Sequence, residues 1–320
     1  MRMTRASTTR GLVIAVISAL TFGMSGAFIK PLLEAGWSPA AAVTARALTG
    51  GIVLLPFVLL ALRGRFSALW HARARVLAMA LIGVAGTQLA YFAAIDRIHV
   101  GTAILIEYLA PLLLVIWVWV RTRRMPRAVV LAGSAVAIVG LVLVIGPGAL
   151  GGLDALGLVF ATIAMIGCAV YYVVAAAPSD DLPPVALAGA GLLIGGVALG
   201  LVGITGLLPF TATTTPVAMF GSSVPWWVPL LIVGVVATGI AYAASITASE
   251  LLGSRLASFL GLLEVVAATV YAWLLLGEAL TPVQVIGGVL ILGGIALVRS
   301  ERQTDAPIEP SPVPITETTP

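Results

Sequence analysis

A chain of 320 residues with 60% apolar and only 9% charged side chains has too little polar surface to fold in water, where domains carry about 25% charged residues. Its net charge of +4 comes from arginines clustered between apolar runs, a pattern that orients a membrane protein and gives no nucleic-acid surface. One cysteine, Cys168, excludes an internal disulfide and reads as a small packing residue.

Taken in chain order, ten apolar runs reach the roughly 20 residues that one helical crossing needs. They fall near 11–29, 39–62, 75–95, 100–120, 128–146, 153–177, 184–208, 226–249, 255–276 and 282–298. The first run has a basic start and small residues near Ser25–Ala27, like a signal peptide. It continues into Lys30-Pro31 and has a counterpart in the sixth run, so it is expected to be retained. Pro111 in the fourth run removes a backbone hydrogen bond and frees a carbonyl one turn away. In the seventh, Gly191/Gly195 and Gly196/Gly200 are small-xxx-small pairs for close helix packing. The uncharged Thr- and Pro-rich stretch 209–225 reads as an outer connection, with Trp226 and Trp227 anchoring the next span at the interface. The Pro-, Thr- and Glu-rich tail reads as disordered.

Cytoplasmic loops keep an excess of Lys and Arg. Arg2, Arg5, Arg10, Arg63, Arg65, Arg73, Arg75, Arg121, Arg123, Arg124, Arg127, Arg299 and Arg302 all fall on one side if the spans alternate. The other side receives little beyond Lys30, the sole lysine, and Arg97. Both termini are therefore expected in the cytoplasm, although Asp180 and Asp181 sit on that inner side without a basic neighbour. The absence of asparagine rules out N-glycosylation acceptors and, with the scarcity of lysine, suggests a GC-rich bacterial source.

The two halves repeat. Displaced by 154 residues, Trp119 meets Trp273, Gly133 meets Gly287, Gly140 meets Gly294, Ala94 meets Ala248 and Ala103 meets Ala257. Five spans per half is an odd number, so the second half enters the membrane from the opposite side. The expected fold is an all-α polytopic membrane protein of about ten transmembrane helices in two inverted five-helix repeats. Residues 1–10 form a cytoplasmic N-terminus, 11–146 and 153–298 the repeats, and 299–320 a cytoplasmic tail. Repeated bundles of this kind are the usual build of secondary transporters, with the solute held between the repeats.

Ionisable groups inside lipid cost at least ~2.5–3.5 kcal/mol and are functional candidates. Arg46, Glu107 and Glu264 stand out. In the repeat register Glu264 matches Ala110, so the two carboxylates lie one turn apart on equivalent faces. They could bind a substrate amine or carry a proton, and Arg46 could receive a substrate carboxylate; the rival reading is an ion pair among the three that holds helices in register. Lys30 and Glu278 read as a gate or as interfacial anchors. Of the aromatic residues inside spans (Phe22, Tyr91, Trp117, Trp119, Tyr242, Tyr271 and Trp273), Tyr91 and Tyr242 occupy similar places in the two halves and suit a cavity. Trp119 and Trp273 suit the interface.

Catalytic classes find little support. His71 and His99 lie in loops on opposite sides, and no metal-ligand cluster, G-x-S-x-G elbow or Walker A loop occurs. Gly146-Pro147-Gly148-Ala149-Leu150-Gly151 fits G-x-G-x-x-G but lacks the preceding strand that dinucleotide binding needs. No cofactor and no metal is expected.

The stretch Phe22–Lys30 with Pro39 and Arg46, the segment Glu107-Tyr108-Leu109-Ala110-Pro111, and Leu276-Gly277-Glu278 with Pro282, Gln284 and Gly287 resemble the drug/metabolite transporter superfamily in its bacterial EamA branch. Two features depart from that pattern. Arg123-Arg124 stands where the first repeat often ends in Gly-Glu, and Val265 stands where a proline often follows the carboxylate. Ile106–Pro111 and the Arg-rich loop after it are most similar to the threonine/homoserine exporter group. The resemblance implies alternating-access export of a small molecule, an amino acid or amine, across the inner membrane. Protons are an optional coupling ion, the lipid bilayer is a partner, and a homodimer stays open. A multidrug or lipophilic-cation exporter is the rival within transport; a membrane-embedded enzyme or non-transporting subunit is the rival outside it.

Overall fold

Apolar runs without a water partner satisfy their backbone in one economical way, as helices. The computed structural model describes residues 5–123, 125, 127–145, 154–176, 182–219, 221–245, 248 and 262–301. Five helices among them are long and apolar enough to cross a membrane: Thr9–Glu34, Pro39–Leu62, Arg73–Ile95, Pro184–Ile204 and Trp227–Ser245. Shorter apolar helices cover Ala128–Leu143, Ala155–Tyr171, Leu263–Leu276 and Pro282–Leu297. The fourth span is a tandem pair, Val100–Glu107 and Ala110–Thr122, which completes ten.

That break corrects the continuous fourth span read from hydropathy. Pro111 has no N–H to give the Glu107 carbonyl, and the chain tightens around the gap. Leu109 donates to Ile106 O at 3.0 Å and Leu112 to Leu109 O at 2.8 Å, each only three residues back. Glu107 thus ends a half-helix.

The spans pair in a pattern that survives exchange of the halves. The first packs on the ninth as the sixth packs on the fourth; the third meets the sixth as the eighth meets the first; the second meets the eighth as the seventh meets the third. Three pairs, second–seventh, fourth–ninth and fifth–tenth, map onto themselves and so straddle the axis relating the repeats. Fifth and tenth cross at glycines. A Cβ on Gly140 would lie 2.5 Å from the Gly287 carbonyl oxygen, and one on Gly294 would lie 2.4 Å from that of Gly133. Each contact is the symmetry mate of the other, as in an isologous dimer interface. In the seventh span Gly191 and Gly195 face Met79 and the Ala80 carbonyl, while Gly196 and Gly200 face Leu48 and Thr44. The two small-xxx-small pairs therefore seat two different neighbours.

Hydropathy could not show that third and eighth spans carry π-helical segments, Met79–Gly86 and Ile232–Ile240. Both contain or adjoin the pattern Gly-x3-Thr-x3-Tyr: Gly83, Thr87, Tyr91 and Gly234, Thr238, Tyr242. Each threonine hydroxyl donates to the carbonyl five residues back, Thr87 to Ile82 at 2.8 Å and Thr238 to Val233 at 2.9 Å. Such widened turns recur at functional sites.

The two ends of the bundle differ. At one, stretch 209–225 is a folded cover: Val217–Met219 pairs antiparallel with Ser222–Val224. Ahead of this hairpin, Thr211 O accepts from the Ser38 N–H at 2.9 Å and Thr213 O from the Trp37 indole at 2.8 Å. Trp226, expected to anchor in the interface, packs on Trp37 with ring centroids 5.7 Å apart; Trp227 is exposed. At the other end lie the described Arg-rich loops, where Arg75 donates to the Val174 carbonyl at 3.0 Å. The G-x-G-x-x-G stretch, Asp180, Asp181 and the tail beyond Glu301 lie outside the described residues.

Asp154 caps the sixth span through the Leu156 and Gly157 N–H groups at 2.8 and 3.0 Å, and Arg97 donates to it at 3.0 Å. The Gly157 N–H, then Arg97 and Leu156, hold its carboxyl below the usual aspartate range. A depressed folded value means the cap stabilises above the ordinary aspartate pKa and is lost as pH falls through the folded one. Hydrogen exchange at 155–158, normalised to intrinsic rates, is expected to stay protected at neutral pH and to quicken only in acid. Protection unchanged in Asp154→Ala at neutral pH would show that the cap contributes nothing.

Candidate functional site

Arg46 enters the core because the second span starts at Ser38-Pro39, with Ser38 accepting the Ala41 N–H at 3.3 Å, and carries it two turns inward. It is 6% exposed. Its Nε donates to Thr238 Oγ1 at 2.9 Å and its Nη1 to Gln88 Oε1. The guanidinium lies 5.5 Å from the Phe92 ring centroid, a cation–π contact. Arg46 therefore bridges the third span of one repeat and the eighth span, that is, the π-helical element, of the other.

Glu107 and Glu264 stand half-buried on the fourth and ninth spans, the pair that straddles the repeat axis. Glu107 has no hydrogen-bond partner among the described residues, and the Tyr108 hydroxyl bonds to Glu264. Both carboxylates attract Arg46, and Glu264 repels Glu107. Described ion pairs are Lys30–Glu278 and Arg97–Asp154, so the Arg46–carboxylate pair weighed from sequence does not form among them. Tyr91 is buried, and its hydroxyl lies 2.8 Å from where a Gly26 Cβ would be. Tyr242 stands edge-on to Phe22, centroids 5.0 Å apart, and shares the Arg46 field. One cation, two carboxylates and a tyrosine ring from each half thus converge from second, third, fourth, eighth and ninth spans. Sequence reasoning missed Gln88, Thr238, Tyr108 and Phe92. Gln88 alone gave a signal, as an amide inside an apolar run.

Lys30 and Glu278, read singly from sequence, form an ion pair whose side chains are 15% and 9% exposed. The Val100 N–H donates to Glu278 Oε2 at 2.8 Å, and Lys30 Nζ to the Ile98 carbonyl at 3.5 Å. Glu278 thereby caps the half-helix that ends two turns later in Glu107, and it ties first, fourth and ninth spans together at the hairpin end. Breaking a buried pair costs on the order of 3 kcal/mol. Lys30→Glu is expected to lose that much stability and to open this end to solvent. The swap Lys30→Glu/Glu278→Lys should recover only part, because a lysine cannot accept the Val100 N–H. Full recovery in a thermal unfolding series would show that the cap is idle.

Duplicated helices around charged groups held between the halves define a polytopic membrane transporter. The chain belongs to the EamA-like transporter family, whose model matches residues 9–146 and 155–300; it is a membrane transporter and not an enzyme. It is 26% identical over 298 residues, 91% of this chain and 96% of the relative, to a protein described as the uncharacterized inner membrane transporter YicL of Salmonella typhimurium strain LT2. A solved structure, described only as the crystal structure of a protein, is similar with a TM-score of 0.61 at 21% identity. That likeness covers 95% of this chain and 100% of the other, and it bears on the fold.

Proposed function

We propose that the chain exports a small metabolite bearing an ammonium group, an amino acid or amine, across a bacterial inner membrane by alternating access. The observation that carries this reading is the charge balance between the repeats. Arg46 is immobilised through Nε and one Nη, while Glu107 and Glu264 face the same space. A zwitterion places its carboxylate on the guanidinium and its ammonium on the carboxylates; a simple anion meets two repelling charges. Tyr91, Tyr242 and Phe22 supply the apolar and hydroxyl surface for the rest of the solute. The inner-membrane assignment follows the description of the Salmonella relative, and both termini in the cytoplasm follow the arginine distribution. The likeness of Ile106–Pro111 to threonine/homoserine exporters favours amino acids. Glu107, without a hydrogen-bond partner among the described residues, is the group through which proton coupling would run.

Cells loaded with dipeptides and scored for metabolites in the medium test the reading. The Glu107→Gln/Glu264→Gln variant at equal abundance is expected to lower efflux about 100-fold, the equivalent of ~3 kcal/mol of desolvated ammonium–carboxylate pairing. Equal efflux from both proteins would remove the carboxylates from the pathway. Resistance to lipophilic cations without amino-acid efflux would favour the multidrug reading, to which two carboxylates among aromatic rings also lend themselves.

A further inference from the structure

A cavity of about 420 Å³ lies at the hairpin end, apart from the central charges. It is lined by the Lys30–Glu278 pair and by Ala218, Met219 and Gly221 of the hairpin. Pro31, Leu275 and Leu276 give it an apolar wall, and Glu34 and His99 also line it. The size is that of a small-ligand pocket, roughly 300–1,000 Å³, where apolar walls and a few polar groups fix orientation.

The charges in this cavity are unequal. Lys30 is neutralised by Glu278, whereas Glu34 is exposed and has no ion-pair partner among the described residues. The cavity therefore presents one uncompensated carboxylate above an apolar wall. That combination recognises an ammonium attached to a compact apolar group and disfavours the matching carboxylate.

We propose that this cavity is a second ligand site, for small amines bearing an apolar group. The ammonium is received by Glu34, and the apolar part lies against Met219, Leu275 and Leu276. The walls come from the first span, the end of the ninth span with the segment after it, and the hairpin, and the Lys30–Glu278 pair closes this end by joining the first span to that segment. An amine bound here stabilises that closure by its differential affinity for the closed form, so occupancy slows transport without entering the central site. The inference is independent of the solute assigned to Arg46, Glu107 and Glu264.

The test uses the purified full chain carrying Cys168→Ala and Ala218→Cys, whose introduced thiol sits on the lining strand. Maleimide alkylation is timed with 2-phenylethylamine, or with 3-phenylpropionate as the charge-reversed control. The amine at about four times its Kd is expected to slow alkylation about fivefold, and the acid to have no effect. Glu34→Gln, on an exposed position that does not endanger folding, should abolish protection. Glu107→Gln/Glu264→Gln should keep it. Any of four results overturns the proposal: no protection by the amine, equal protection by the acid, protection that survives Glu34→Gln, or protection lost in the central double variant.

Discussion

Arg46→Gln is expected to lower exchange of a zwitterionic solute about 100-fold, and Arg46→Lys about tenfold, in proteoliposomes of equal protein content. The difference lies in the shape of the guanidinium. Thr238 and Gln88 hold Nε and Nη1, which fixes the plane and, among the described residues, leaves Nη2 for a solute carboxylate. An ammonium keeps the charge but has no fork to fix. Glutamine loses both, and with them the counter-charge to Glu107 and Glu264, so the carboxylates repel without relief. Stability should fall too, because hydrogen bonds to charged groups contribute about 1.5–3 kcal/mol each. A solute amine lacking a carboxylate separates the effects: its exchange should suffer less in Arg46→Lys than that of the amino acid. Equal losses for amine and amino acid would mean that Arg46 only braces the helices.

Gly294→Ala is expected to cost about 3 kcal/mol or more and to prevent recovery of monodisperse protein, whereas Gly293→Ala should be neutral or raise the melting temperature. The added Cβ at 294 meets backbone: the Gly133 oxygen at 2.4 Å and the Ala137 nitrogen at 2.7 Å. Overpacking of side chains costs ~1–3 kcal/mol, and two helix backbones cannot rotate aside as a side chain can. At 293 nothing lies within 4 Å, and alanine is favoured over glycine in a helix by roughly 0.5–1 kcal/mol. Gly140→Ala should behave like Gly294→Ala, since the two contacts are symmetry mates. Detergent-solubilised yield and thermal unfolding read all three. Tolerance of alanine at both 140 and 294 would mean that the fifth and tenth spans are not held by their glycines.

Hydropathy located the spans because lipid leaves a long apolar run few alternatives to helix. The second span, 39–62, was legible to the residue, since Ser38-Pro39 starts it and Arg63 ends it in a left-handed cap with φ 42°. The glycines of the fifth and tenth spans were legible as repeat partners, though not as each other's contacts. Arg46, Glu107 and Glu264 could be singled out because charge in lipid is costly wherever it sits. Their surroundings could not. Gln88 reaches Arg46 across 42 residues and Thr238 across 192, distances over which composition carries no information. Lys30 and Glu278 lie 248 residues apart, and only the packing of the first span on the ninth joins them. The hairpin in 217–224 escaped notice because its strands are three residues long and its turn glycine, Gly221 at φ 70°, sits in a stretch that reads as plain connection.

The π-helical segments of the third and eighth spans bear on how a new specificity could arise in this chain. An α-helix advances about 100° per residue, and a widened turn accommodates residues that a regular helix would place elsewhere. Deleting one residue within Met79–Gly86 would let regular bonding resume with Gln88 and Tyr91 still turned toward Arg46, because the widened turn takes up the extra residue; the same loss in the regular helix between Gln88 and Tyr91 would swing Tyr91 by about that angle. Ile232–Ile240 gives the eighth span the same tolerance ahead of Tyr242. Length changes in the regular helix beyond these segments reset the lining of the central cavity in one mutational step, a route that substitution scans of this protein will not sample.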